Sequence, residues 1–332
     1  MIIYKQFEAS YIDEVVNLLK PLWGHLSIPE RKAYFRWKYF DNKLNNQITA
    51  FIAIDDKKNK VVGFRGYFNT PFRMESSNYN IGVYSDAVVQ KEYAGQGIFH
   101  DLNKKYWKNK SFNFDFFMAA SSNEKSSNVY KKLGAEVIEY NHILYKISLF
   151  NGLNKNKTLR IEKSYSFNYS IFDKIYKLNS KRACINNNRE FWEWRYSNPI
   201  TKYIFLYLYE EGNPIGFMSL YKINKYRAFI LDYHLKENRL IKDCVNYLRR
   251  NDGIYLCQMW SITKRKKERK LLKNTGFKMY RKLIYFIKKQ EPQAILIRPE
   301  SFTITDDSWF INNKDIREEK AWRLNLICSD GI

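Results

Sequence analysis

The sequence predicts an α/β protein made of two similar units in tandem. The chain has 332 residues, more than one hydrophobic core usually holds, which favours two units of about 150 residues each. With 45% hydrophobic and 27% charged residues, its composition is typical of a folded protein and excludes extensive disorder. In the first half, strand-sized apolar runs alternate with helical patterns, and several short motifs of that half recur in order in the second.

The elements of the first half can be predicted in order. Ser10 can cap a helix over Tyr11–Leu19, whose Val15, Val16, Leu18 and Leu19 form the apolar side. Strands are predicted where short apolar runs are bounded by polar turns: Gln47–Ile54, Val61–Phe68, Ile81–Gln90, Phe114–Ala120 and Glu136–Ile147. Helices follow the third and fourth of these strands, one from Ile98 to about Trp107 and one over Lys125–Leu133.

The second half repeats the first weakly. The recurring motifs are Trp37-Lys38-Tyr39 with Trp194-Arg195-Tyr196, Val62-Gly63-Phe64 with Ile215-Gly216-Phe217, Asp86 with Asp232, and Leu133-Gly134-Ala135 with Thr275-Gly276-Phe277. We therefore expect a first domain over residues 1–150 and a second over residues 151–332, separated by the polar stretch Asn151–Thr158. The paired tryptophan motifs predict an aromatic core seam, and stacking on a nucleobase is the alternative.

The charge of the chain is strongly positive, +23 from 57 Lys and Arg against 34 Asp and Glu, and aromatic residues reach 17%. Such a chain fits a partner that carries phosphate and a flat ring, whether nucleic acid, a nucleotide cofactor or a nucleotide-linked substrate. The densest basic run, Lys264–Lys270, predicts the exposed face of a helix, with a nucleic-acid patch as the alternative.

Compartment and metal content follow from what the sequence lacks. No stretch approaches the roughly 20 apolar residues that span a bilayer, and residues 1–19 lack the apolar segment of a signal peptide. The four cysteines, Cys184, Cys244, Cys257 and Cys328, have no spacing typical of a zinc site or a disulfide framework. We expect a cytoplasmic protein without membrane contact or metal.

A glycine turn marks the first candidate site. The strand ending in Val88-Val89-Gln90 is followed by Gly95, Gly97 and an immediate helix. Glycine allows close approach of a ligand to the backbone, and a helix amino terminus offers unpaired N–H groups to phosphate. A purely structural turn is the alternative. No counterpart of this turn follows Asp232, so the sequence predicts one such site and not two.

A second candidate lies just after the strand Phe114–Ala120. Asn123, Ser126 and Tyr130 follow one another at spacings that allow Asn123 and Tyr130 to share one side of a helix. A tyrosine there can donate a proton to a leaving thiolate. A capping asparagine and a half-buried aromatic residue are the alternative interpretation.

In this order the two features resemble the GNAT acyltransferase superfamily. The resemblance implies two tandem GNAT-like domains, each a mixed, mostly antiparallel sheet flanked by helices, and acyl-coenzyme A (acyl-CoA) as co-substrate. By that resemblance the pyrophosphate of CoA binds Ala94, Gly95, Gln96, Gly97, Ile98 and Phe99, although Ala94 and Phe99 depart from the residues usual there. Val88 and Val89 would offer the backbone to the thioester, Asn123 and Ser126 would line the pantetheine arm, and Tyr130 would protonate the thiolate.

Chain length and the Trp-Lys/Arg-Tyr repeat resemble the tandem-GNAT sugar N-acyltransferases of bacterial surface-polysaccharide (O-antigen or capsule) biosynthesis. The acceptor is then a nucleotide-linked amino sugar, with dTDP as the first expectation, and the acyl group is acetyl, longer or hydroxylated. Asp86 is the candidate base, and Tyr84, Asp86, Asp232 and Tyr233 are the candidate acceptor-binding residues. For Asp86 a bond to local backbone, and for Asp232 an ion pair within its own domain, are the alternatives.

Other functions remain open at this stage. A GNAT enzyme acting on another amine, such as an antibiotic, peptide or polyamine, fits the same motifs, as does a peptidyltransferase that uses aminoacyl-tRNA. A non-catalytic basic module that binds nucleic acid is the rival from another class, although the motifs make a nucleic-acid partner the weaker expectation. The sequence leaves the oligomeric state open, a homodimer included.

Overall fold

Two large mixed sheets with helices packed on them form the protein. The computed structural model describes residues 1–45, 47–109, 112–148, 158–176, 182–261, 270, 273–278, 293–301, 303–324 and 326–328. The polar stretch expected to separate the domains lies mostly outside the described residues, as does most of the basic run Lys264–Lys270. The division at residue 150 therefore stays a prediction.

The strands, in chain order, are β1 Ile2–Gln6, β2 Ala50–Asp55, β3 Lys60–Met74, β4 Ser77–Val89, β5 Phe116–Ser122, β6 Glu136–Tyr140, β7 His142–Ile147, β8 Leu159–Ser164, β9 Cys184–Ile185, β10 Tyr203–Glu210, β11 Asn213–Asn224, β12 Arg227–Leu235, β13 Leu256–Ser261, β14 Ala294–Pro299, β15 Phe310–Ile311 and β16 Lys314–Asp315. The α-helices are α1 Ile12–Leu18, α2 Lys20–Trp23, α3 Ile28–Tyr39, α4 Ile98–Asn109, α5 Glu124–Lys132, α6 Tyr169–Ile175, α7 Arg189–Arg195 and α8 Leu240–Asp252.

The first sheet has the order β1-β2-β3-β4-β5-β14-β6, with β9 paired to β3, and the second has the order β7-β13-β12-β11-β10-β8. In each sheet one neighbouring pair is parallel, β4 with β5 and β12 with β13, and the other neighbours along these orders are antiparallel. The predicted class, two mixed and mostly antiparallel sheets flanked by helices, is confirmed.

The predicted strand Glu136–Ile147 is wrong as a single element. It is divided at Asn141 into β6, which stays in the first sheet, and β7, which pairs with β13 of the second sheet. In return β14, from the second half of the chain, lies between β5 and β6 in the first sheet. Each sheet is therefore completed by a strand from the other half. The sequence did not predict this exchange, because an apolar run indicates that a strand is buried but not which sheet it joins.

The two halves meet at the paired tryptophan motifs. The rings of Trp37 and Trp194 stack with centroids 5.0 Å apart and planes 14° from parallel. Trp37 Nε1 donates to the carbonyl of Trp194 (2.8 Å), and Trp194 Nε1 donates to the carbonyl of Trp37 (2.7 Å). This reciprocal contact is buried, so the predicted aromatic core seam is confirmed and both indole N–H groups have partners inside it.

Helices and cysteines add two further observations. No helix among the described residues is long and apolar enough to cross a membrane. The four cysteines are buried and unbridged, and the described residues contain no group of three side chains that could hold a metal ion.

Candidate active site

An opening between β4 and β5 is the central feature of the first sheet. The parallel pairing of these strands runs only from Ile81 opposite Phe116 to Val83 opposite Met118. Beyond Val83 the strands have no further paired residues in the described structure, although β4 continues to Val89. Residues 84–89 still pair with β3 on their other side, but on the side of the opening they have no strand partner in the described structure, and only the Ser85 carbonyl is known to be used, by Arg65.

A bulge in β4 decides where the side chains at this opening point. Arg65 pairs with Ala87 and Tyr67 with Tyr84, so three steps along β4 match two along β3. One extra residue reverses the alternation of side chains between the faces of the sheet. As a result Tyr84 packs against α5 through Tyr130, whereas Asp86 bonds to Trp23 and Tyr39 of the first helices.

A cavity of about 530 Å³ occupies this opening. Its walls come from α2, α3, β3, β4, α4, β5 and α5, and from the segment after α7. The residues expected at the site that line it are Tyr84, Asp86, Phe99, Asn123, Ser126 and Tyr130. The structure therefore brings together one group of the sequence-predicted residues in a single concave site.

The glycine turn lies between β4 and α4. Gly95 and Gly97 have φ values of +79° and +78°, and a Cβ at either position would have nothing within 4 Å. Conformation, and not crowding, therefore favours glycine at these positions. The turn leads directly into Ile98, the first residue of α4, whose initial N–H groups have no partner within the helix. Val88, Val89, Ala94, Gln96 and Ile98 lie around this turn but do not line the cavity.

Tyr130 on α5 forms one wall of the cavity. It is buried, and its ring stacks on Tyr84 with centroids 4.5 Å apart and planes 13° from parallel. Asn123 caps α5 by accepting from the backbone N–H of Ser126 (3.0 Å), so the capping interpretation is confirmed. The cap fixes the start of the helix that carries Tyr130, and both Asn123 and Ser126 also face the cavity.

Asp86 lies at the opposite wall inside a dense set of donors. Trp23 Nε1 donates to Oδ1 (3.2 Å), the Tyr39 hydroxyl donates to Oδ2 (2.7 Å), and Lys38 Nζ lies 3.0 Å from Oδ2. The side chains of Lys38 and Asp86 are 2% and 7% exposed, so this is a buried ion pair. The carboxylate is thereby neutralised and tied to α2 and α3.

Arg65 reaches the cavity from β3. It is 1% exposed, and Nη1 donates to the carbonyl of Ser85 in the bulge (3.0 Å). Its guanidinium carbon lies 4.5 Å from the ring centroid of Tyr84 and 5.3 Å from that of Tyr130. Burial lowers the pKa of Arg65, but the phenol groups of Tyr130, Tyr67 and Tyr84 raise it, so the pKa stands above its usual value and the guanidinium is charged.

Comparison with solved structures identifies the fold. One similar structure is a GCN5-related N-acetyltransferase from Anabaena variabilis. The superposition covers 91% of this chain and 73% of that chain, with a TM-score of 0.66 and 12% sequence identity. A probable N-acyltransferase from Enterococcus faecalis gives the same coverage, with a TM-score of 0.67 and 11% identity. A tandem GNAT protein from the clavulanic acid pathway matches 91% of this chain over 99% of its own, with a TM-score of 0.59 and 10% identity. The chain has the tandem GNAT fold. No protein-family model and no curated protein matches the sequence.

The second GNAT-like unit contributes to the cavity differently from the expectation. Asp232 and Tyr233, predicted at the acceptor site, do not line it. Asp232 is 1% exposed and bonds to His234 Nε2 (3.0 Å) and to the backbone N–H of Tyr233 (2.8 Å). Both of these hydrogen bonds are made within β12, and the ion pair named as the alternative stays a prediction. The second half reaches the cavity through Ile200, in the segment after α7.

Sequence reasoning missed Trp23, Tyr34 and Arg65 in the wall of this GNAT cavity. For the two aromatic residues no local signal separates a cavity wall from a core position. Arg65 did carry a signal, because it is the charged residue inside the apolar strand Val61–Phe68. A charge in a strand that is otherwise buried needs a partner or a function.

Proposed function

We propose that this chain transfers an acyl group from acyl-CoA to a primary amine. The observation that supports the proposal most directly is the opening between β4 and β5, with the glycine turn at one end and Tyr130 in its wall. The GNAT fold fits this chemistry.

The site offers a place for each part of the CoA co-substrate. The turn Ala94–Gly97 and the first N–H groups of α4, from Ile98 and Phe99, suit the pyrophosphate. The unpaired edge of β4 near Val88 and Val89 can accept and donate hydrogen bonds along the pantetheine arm and to the thioester oxygen. Asn123 and Ser126 border the same channel from α5.

The proposed reaction is a direct attack of the amine nitrogen on the thioester carbonyl carbon. A carbon–nitrogen bond forms, the carbon–sulfur bond breaks, and the hydroxyl of Tyr130 gives its proton to the departing sulfur. The attacking nitrogen loses a proton to water, and water returns a proton to the Tyr130 oxygen, so that one proton passes in all from nitrogen to sulfur. Asp86 is proposed to orient the amine side of the cavity through Trp23 and Tyr39, because its oxygens already accept from these donors and face the charge of Lys38.

For the acceptor we propose an amino sugar carried on a nucleotide diphosphate. The formal charge of +23 suits a diphosphate, and the aromatic walls Trp23 and Tyr34 suit the apolar faces of a sugar or a base. A screen of free-thiol release, with several acyl-CoA donors against nucleotide amino sugars, simple amines and peptides, tests this choice. Turnover with simple amines or peptides, and none with nucleotide amino sugars, would contradict the sugar acceptor but leave the acyltransferase proposal intact.

The variant Tyr130→Phe tests the mechanism. We expect turnover to fall by about 10²- to 10⁴-fold, the usual contribution of a positioned proton donor, while CoA affinity measured by calorimetry changes little. Tyr207→Phe is the matched control, since Tyr207 is equally buried but lies on β10 of the second sheet. Unchanged turnover in Tyr130→Phe would remove this residue as the acid. Absence of CoA binding by the unaltered protein, together with steeply salt-dependent RNA binding, would favour the nucleic-acid module.

A further inference from the structure

Arg65 is a buried cation with no buried anion beside it among the residues that the structure describes. Its guanidinium has no carboxylate of the described residues within 4.0 Å, and Asp86 on the other side of the bulge is already paired with Lys38. The faces of the surrounding rings stabilise a cation, but by less than the free-energy cost of burying an ion. The aromatic surroundings therefore offset only part of the cost of placing this charge at the cavity.

The hydrogen-bonding capacity of Arg65 is also incompletely used. Nη1 is satisfied by the Ser85 carbonyl, and the Tyr67 hydroxyl also interacts with the guanidinium, but Nε and Nη2 are buried and make no hydrogen bond of normal geometry in the described structure. The hydroxyl of Tyr84, whose ring lies nearest the guanidinium, is likewise buried and has no hydrogen-bond partner among the described residues. Burial raises the pKa of Tyr84 well above its usual value, so this hydroxyl stays protonated and can donate a hydrogen bond.

These unused groups share one chemical character, because all of them donate. Nε and Nη2 form the side of a guanidinium that binds a carboxylate through two parallel hydrogen bonds. The tyrosine hydroxyl can also accept, but the two guanidinium nitrogens can only donate, so a buried, positively charged cluster of this kind is complementary to an anionic oxygen ligand.

From this cluster we infer that the cavity binds a carboxylate group of a substrate, held by Arg65 and Tyr84. The inference rests on the proposed function, and the carboxylate belongs either to the far end of a dicarboxylic acyl group or to the amine acceptor. Phe99 is the ring that the ligand displaces, since it lies 5.7 Å from the guanidinium carbon and is only partly buried, whereas Tyr67, Tyr84 and Tyr130 are buried.

Matched substrate pairs test the inference and separate the two sources. On the donor side, calorimetry compares succinyl-CoA with butyryl-CoA, which has the same number of acyl carbons without the carboxylate. On the acceptor side, thiol release from acetyl-CoA and thermal stabilisation compare α-amino acids with their amides. In one of the two pairs we expect the carboxylate to be favoured about 10- to 100-fold, the range of a charge-assisted hydrogen bond.

Two variants connect the preference to the residue. Arg65→Met should abolish the preference for the carboxylate member of the pair, whereas Arg65→Lys, which keeps the charge but not the two parallel hydrogen bonds of the guanidinium, should retain part of it. Arg195→Met is the control, because Arg195 is equally buried and lies 5.6 Å from the Trp37 ring but does not line the cavity. We expect it to leave the preference intact.

The outcomes distinguish this inference from the proposed function. If CoA binds but neither pair shows a preference, or if Arg65→Met weakens both members of a pair equally, the carboxylate site is wrong and the transferase proposal stands. A chain that binds neither CoA nor any carboxylate probe of the two pairs contradicts both.

Discussion

Single residues at the cavity show how a buried charge is held. Asp86 was expected from its place on the strand to act as a base, yet its oxygens are occupied by Trp23, Tyr39 and Lys38. These contacts hold the carboxylate in place between α2, α3 and β4, which suits a positioning role. Its role in positioning can be separated from a role as base by altering both members of the ion pair.

We predict that Asp86→Asn lowers the free energy of unfolding by about 3–5 kcal/mol, because the buried ammonium of Lys38 loses the negative charge beside it. Adding Lys38→Met should recover most of this stability and part of the turnover. Urea unfolding and thiol release measure the two quantities. If the double variant regains stability but shows no recovery of thiol release, Asp86 would have to be the base that accepts the proton of the amine.

The lowered pKa of Lys146, on β7, leads us to predict that the stability of the fold depends on pH. Its ammonium donates to the carbonyl of Thr275, and burial, with the nearby charge of Lys242, lowers its pKa from 10.5 to about 8. The folded state therefore binds fewer protons than the unfolded chain between pH 8 and 10.5, so the contribution of Lys146 becomes more favourable as pH rises through that window. Below pH 8 the cost of charging it is fully present.

The variant Lys146→Met removes this cost. At pH 7, removal of the buried charge should raise the free energy of unfolding by up to about 3 kcal/mol. Loss of the hydrogen bond to Thr275 should reduce this gain by about 1 kcal/mol. The difference from the unaltered protein should shrink as pH approaches 10.5. Urea unfolding at pH 7 and pH 10 checks this, and a difference that is constant with pH would contradict the lowered pKa.

At the scale of elements, the bulge in β4 and the glycine turn after it organise the site. The bulge places Tyr84 with α5 and Asp86 with α2 and α3, so one strand serves both walls of the cavity. The turn gives α4 a start at which N–H groups face outward. Both features follow from backbone conformation more than from side-chain packing.

For the turn we predict that Gly97→Ala costs only about 1–2 kcal/mol of stability, the penalty of a left-handed conformation with a Cβ. CoA affinity should fall more than tenfold, because the added methyl group stands where phosphate approaches the backbone. Gly212→Ala is a close control, since Gly212 has φ +81° and an equally open Cβ position in a turn of the second sheet. Calorimetry that finds equal CoA affinity in both variants would show that the turn does not bind phosphate.

At the scale of the whole molecule, the exchange of β7 and β14 joins the halves. Without β14 the first sheet has a gap between β5 and β6, and without β7 the second sheet loses its edge. Arg298 of β14 also donates from Nε to the carbonyl of Leu133 (2.6 Å), at the carboxyl end of the helix that carries Tyr130. The second half therefore supports the candidate acid without contributing to its chemistry.

We predict that residues 1–148 and 158–332, produced as separate chains, each fail to unfold cooperatively. Mixed together they should form a 1:1 complex with the circular dichroism of the intact protein, since each supplies a strand that the other sheet needs. Analytical ultracentrifugation and thermal melts measure this. A cooperative melt of residues 1–148 alone would contradict the dependence on β14.

The sequence by itself determined the fold class, the strands around the opening, the tryptophan seam, and the places of the glycine turn, Asn123 and Tyr130. These features depend on local periodicity, capping and glycine conformation, which a short segment carries with it. Only the tertiary structure decided that β7 and β14 change sheets, that Asp86 is held in an ion pair, that Asp232 lies outside the cavity, and that Arg65 reaches it with no buried anion among the described residues. Each of these depends on contacts between segments far apart in the chain. The partner of a buried hydrogen-bonding or charged group is decided by the packing of those segments, which the local sequence does not contain.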